Sequence, residues 1–167
     1  MGVQIARYLQ SVLHPSILSS AFSCSSLSRK SFMAAYTSYW RSKRVFVLGP
    51  SHHVYLDHCA LSACAYYSTP LGKLTLDTDV LKEIYKSGEK FGWMSLDTDE
   101  DEHSIEMHLP YIYKVLDLVG KVCSVKVVPI MVGAINTNKE KAYGEVLAKY
   151  LRDPENVFVI SSDFCHW

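Results

Sequence analysis

The chain has 167 residues, 49% of them hydrophobic and 20% charged, which suits one globular α/β domain able to bury roughly 70% of its unfolded surface. Lys+Arg and Asp+Glu balance at 17 each, so bulk charge gives no reason to expect a nucleic-acid partner. No apolar run approaches the roughly 20 residues that a transmembrane helix needs.

Residues 1–43 stand apart from the rest. They are serine-rich, carry Arg7, Arg29, Lys30, Arg41 and Lys43, and contain no acid; the first carboxylate of the chain is Asp57. Positive charge without carboxylates suits mitochondrial import, so one reading is a transit peptide and the other a divergent first exon with no targeting role. From Arg44 onward the pattern is structured. Residues 45–48, Val-Phe-Val-Leu closed by Gly49-Pro50, predict a buried strand feeding a loop. Residues 79–86 have helical spacing, with Val80, Leu81, Ile84 and Tyr85 as the apolar stripe. Residues 102–118 continue helically, and Pro110 implies a start or a kink. Residues 125–132 form a β-branched strand closed by Gly133, residues 139–151 an amphipathic helix ended by Asp153-Pro154, and residues 156–160 a third strand. This alternation predicts an α/β fold over residues 44–167, a mostly parallel β-sheet flanked by helices.

Ligands of open α/β sheets gather at the carboxyl ends of strands, which draws attention to three segments. Gly49-Pro50-Ser51-His52-His53 follows the first strand. Adjacent loop histidines point in different directions, so one reaches a given metal while its neighbour packs or donates a supporting hydrogen bond. Ser161-Ser162-Asp163-Phe164-Cys165-His166-Trp167 follows the third strand. There Asp163 and His166 are spaced to face one pocket, although Ser162 or Asp163 is equally suited to cap a helix, and Cys165 reads as a small buried thiol. The acidic stretch 97–106 contains His103 and Glu106, which share a helical face. Asp99, Glu100 and Asp101 read as a solvated helix N-terminus, whereas His103 precedes an apolar, buried stretch. Neither HExxH, GxGxxG, a Walker A sequence nor a GxSxG elbow is present. The five cysteines (Cys24, Cys59, Cys64, Cys123, Cys165) lack CxxC spacing and read as reduced thiols.

The GPSHH segment, Glu102-His103-Ser104-Ile105-Glu106-Met107-His108-Leu109-Pro110 and the SSDFCHW segment, in that order, resemble the Memo family, the mediator-of-cell-motility proteins. The resemblance covers residues 44–167. It implies a class III extradiol dioxygenase-like fold with a metal histidine at His52, and pocket carboxylate and imidazole groups at Asp163 and His166. It also implies a buried acid/base histidine at His103, with His53, Glu106 and Cys165 around the site. Fe(II) or Cu is the implied cofactor, a signalling protein or phosphopeptide the implied partner, and cytosol and nucleus the implied location. The family's HAGSWY and PHAGY motifs and its distal cysteine do not occur in this sequence. The expectation is therefore an incomplete member, Memo-like in signalling and short of a full catalytic ligand set, with an extradiol-type dioxygenase as the alternative.

Overall fold

The computed structural model describes Tyr39 and residues 41–162. From Arg44 onward the described residues form, in order, β1 (Arg44–Pro50), β2 (Cys59–Leu61), β3 (Tyr66–Thr69), β4 (Gly72–Thr75), α1 (Thr78–Tyr85), β5 (Gly92–Trp93), α2 (Leu96–Asp101), α3 (His103–Glu106), α4 (Leu109–Leu118), β6 (Lys126–Val132), α5 (Thr137–Leu151) and β7 (Asn156–Ile160). The main sheet has the order β5-β2-β6-β1-β7, while β3 and β4 pair separately as an antiparallel hairpin. Within the main sheet β1 runs parallel to both β6 and β7, and β2 parallel to β5; only the β2–β6 pairing is antiparallel. The fold is thus α/β with a mostly parallel sheet flanked by helices, as its apolar runs predict.

Alternation along the central strands sorts the core into two layers. Phe46 and Leu48 of β1, with Val128, Ile130 and Phe158, meet Leu81 and Ile84 of α1 and Tyr143 and Leu147 of α5 on one face. Val45 and Val47, with Val127, Val157 and Val159, meet Ile105 of α3 and Ile112 and Leu116 of α4 on the other. Burial on both faces explains why β1, β6 and β7 read as continuous apolar runs rather than as alternating ones. Phe46 stacks on Phe158 with ring centroids 4.6 Å apart, tying the two parallel strands together. Tyr39, from the segment set apart by composition, is buried in the second layer.

Side-chain caps set the helix starts. Asp77 accepts from the Val80 N–H before α1, Ser95 from Thr98 before α2, and Asn136 from Lys139 before α5. The helical segment over 102–118 divides in two, with the second helix starting at Leu109, beside the Pro110 that implies a start or a kink. Glu102 is extended (φ −87°, ψ 120°) and caps α3, and Pro110 sits in the first turn of α4, where its missing N–H costs no helix bond. The β3–β4 turn needs glycine at Gly72, whose φ is 147° and whose position is crowded by the Tyr113 ring.

Candidate metal centre

The site forms where the carboxyl end of β1 meets the start of α3. Gly49 makes the meeting possible. A Cβ there would lie 2.5 Å from the Ser104 Oγ and 2.9 Å from Ile105 Cγ1, so only a glycine lets α3 approach this closely. The Ser104 hydroxyl then donates to the Pro50 carbonyl at 2.8 Å, pinning the loop to the helix.

This approach places Glu102 beneath the histidine loop. Its side chain is only 2% exposed, against 32% for His52 and 51% for His103, so the carboxylate is the buried anchor and the imidazoles form the accessible side. One Glu102 oxygen accepts the His52 backbone N–H at 2.6 Å. The other accepts the Ser104 N–H at 3.0 Å and lies 3.0 Å from His52 Nδ1 and 3.5 Å from His103 Nδ1. Burial opposes ionisation of Glu102, but the hydrogen bonds from the His52 backbone, the His52 ring and the Ser104 backbone outweigh it and hold the carboxyl at about 2. It is therefore a fixed negative charge at any physiological pH. The His52 and His103 rings stack with centroids 4.8 Å apart, and His53 meets the His103 ring edge-on at 5.7 Å.

His52, Glu102 and His103 each offer a ligand atom, all within 4.8 Å of one another; they are the one such group of three or more among the described residues. Donors bound at about 2.1 Å to a single ion stand about 3.0 Å apart at right angles and about 3.4 Å apart at the tetrahedral angle. The spacings of 3.0 and 3.5 Å around the shared Glu102 oxygen are of this order, and the three ligand atoms together lie within 4.8 Å of one another. Two imidazoles and one carboxylate also form a donor set that suits first-row transition metals.

The motif histidines His52, His53 and His103 are brought together by the fold. Glu106 sits at the far end of α3, exposed and outside the cluster. Asp163, Cys165 and His166 lie outside the described residues. Two assignments change. His103 is half exposed, and the buried residue of the pair is Glu102, which its place in the motif alone does not single out. No signal in the sequence separates it from the neighbouring acids; its role as the cap of α3 emerges only in the structure. Asp99 is not a solvated acid: it accepts the Ser62 and Tyr67 hydroxyls, both at 2.5 Å. Burial first, and then the Asp99 charge, push the Tyr67 hydroxyl well above its usual range. The described cysteines, Cys59, Cys64 and Cys123, are free thiols, and burial pushes Cys59 up to about 12.

The helix-covered, mostly parallel sheet defines an α/β protein, and the carboxylate-anchored pair of histidines at the end of β1 is its candidate ligand site. The chain belongs to the family described as Memo-like protein, which it matches over residues 20–167. It is 55% identical over 126 residues to Protein MEMO1 of Xenopus laevis and 51% identical to Protein MEMO1 of Homo sapiens, covering 75% of this chain and 41% of each relative. It is 46% identical over 125 residues to a MEMO1 family protein of Schizosaccharomyces pombe, covering 75% of this chain and 40% of the relative. The chain thus spans about two fifths of the length of these relatives.

Proposed function

We propose that the chain provides a metal-binding redox pocket on a Memo-type scaffold that serves cell-motility signalling, with His52, Glu102 and His103 holding an ion such as Fe(II) or Cu. The observation that carries the reading is the gathering of these three donors within 4.8 Å of one another at the end of β1. When bound, such an ion supplies a Lewis-acidic and redox-active centre.

The chain's own residues divide the remaining work. Glu102, ionised and anchored by two backbone N–H groups, fixes the angle of the His52 ring and supplies the negative charge that favours a cation. His103 is exposed and makes the longer contact to Glu102, so it is the more loosely held of the two imidazoles; in a metal-free site it is the group placed to move a proton between the site and solvent. His53 braces the His103 ring from its edge. Asp163 and His166 are assigned pocket roles from the sequence resemblance alone. For the whole Memo-type protein, the partner class we propose is a signalling protein or phosphopeptide, acting in the cytosol. A fluorescent fusion of residues 1–43 that entered mitochondria would move that location.

Calorimetric titration of Fe(II), under anaerobic conditions, and of Cu(II) tests the metal reading. Wild type should bind with a stoichiometry near one and His52→Ala should bind at least roughly tenfold more weakly. Equal affinities would dispose of the proposal.

A further inference from the structure

Beside the metal cluster lies a cleft of about 500 Å³ with a chemistry of its own. It opens between the β3–β4 hairpin and helices α2, α3 and α4, and its size falls within the range of small-molecule sites. Four carboxylates line it (Asp99, Glu100, Glu102 and Glu106), with no Lys, Arg or His among the described lining residues. Asp99, Glu100 and Glu106 have no ion-pair partner among the described residues. Asp99 is also held in place, since Ser62 and Tyr67 each donate a hydroxyl to one of its oxygens. Both donors are neutral, so among the described residues the negative charge of Asp99 has no cationic partner.

The rest of the lining is apolar and aromatic. Leu96, Ile105, Leu109 and Met131 supply hydrocarbon, and Tyr66 and Tyr67 supply rings. The Lys73 ammonium rests 4.1 Å from the centroid of the Tyr66 ring and has no carboxylate partner among the described residues, so one aromatic ring of the lining already attracts a cation from this chain. Uncompensated carboxylates, aromatic rings and an apolar floor complement one ligand chemistry: a positive head on a hydrocarbon stem. A phosphate would meet the like charges of Asp99, Glu100 and Glu106 here, so the cleft is not suited to a phosphopeptide's phosphoryl group.

We propose that this cleft binds an organic cation, an ammonium or guanidinium carried on an apolar stem, with its charge on Asp99, Glu100 and Glu106 and its stem against Leu96, Ile105 and Leu109. Two sources share that chemistry, the arginine or lysine side chain of a peptide and a free polyamine. Cation binding here does not depend on a metal at His52, although the two sites share Glu102 as a wall.

Titration of the 167-residue chain in low salt with EDTA present separates the cleft from the metal centre, because no metal then contributes. The probes are N-acetylarginine amide, spermidine and the neutral isostere N-acetylcitrulline amide. Both cations should bind, the citrulline compound at least roughly tenfold more weakly, and the cations should weaken as salt approaches about 0.5 M. The tighter of the two cations identifies the source. Glu100→Gln combined with Glu106→Gln changes only exposed side chains, so the fold should persist, and cation affinity should fall roughly tenfold. Absence of saturable cation binding, equal binding of citrulline, an unchanged affinity in the double variant, or displacement of the cation by phosphotyrosine would each overturn the proposal.

Discussion

Replacing Glu102 by Gln removes a charge and one acceptor while leaving the volume almost unchanged, and the geometry around the carboxylate fixes the cost. One carboxylate oxygen faces the His52 N–H at 2.6 Å, and the other faces the Ser104 N–H at 3.0 Å. A carboxamide has one acceptor and one donor end. In either orientation its NH2 points at one of these two backbone donors and leaves it unpaired. His52 Nδ1 can change tautomer to suit the amide, but a backbone N–H cannot. Leaving one such donor unpaired costs about 1–3 kcal/mol, and the upper half of that range applies because the lost acceptor was ionised. For a chain of this size each kcal/mol lowers the melting temperature by roughly 2–4 °C, so a fall of about 4–12 °C is expected by circular dichroism or scanning calorimetry. Glu106→Gln, one turn later and exposed, is the control and should melt with wild type. A Glu102→Gln melting point within about 1 °C of wild type would refute the assignment of Glu102 as the buried anchor of the loop.

Neighbouring features carry two further expected outcomes. Gly49→Ala should push α3 away from β1, because the new methyl group meets Ser104 and Ile105 at 2.5 and 2.9 Å; a stability loss of about 1–3 kcal/mol in urea is expected, with weakened metal binding. His108 is buried, and burial holds its imidazole below the usual value near 6.5. The unfolded chain therefore takes up the proton first as pH falls, so the stability associated with neutral His108 is complete above about 6.5 and declines below it. His108→Gln should flatten the dependence of urea midpoint on pH just below 6.5, and an unchanged slope there would remove His108 as its source.

Much of the fold is legible in the sequence because its main elements are locally encoded. The central strands read as apolar runs since helices cover both faces of the sheet, and α1 and α5 carry periodic stripes behind Asp77 and Asn136 caps. The two-residue β5 and three-residue β2 are not legible, because so short a strand exists only through its partner: β2 is defined by antiparallel pairing with β6, which lies about 70 residues away along the chain. The same distinction runs through the site. His52 and His103 are legible as chemistry-bearing residues at motif positions. Glu102 and Asp99 are not, because a run of acids before a helix looks uniformly solvated until tertiary structure separates its members. Gly49 draws α3 onto β1 and buries Glu102, and the β3 hairpin brings Tyr67 onto Asp99, while Glu100 and Asp101 remain exposed.

The most direct test of the proposed metal centre is anomalous diffraction at the absorption edge of Fe or Cu from crystals of the metal-loaded chain. The expected result is one strong peak about 2.1 Å from a nitrogen of His52, with His103 and a Glu102 oxygen completing the protein contacts. A peak that bypasses Glu102 and His103, or no peak in fully loaded crystals, would contradict a site built from these three residues.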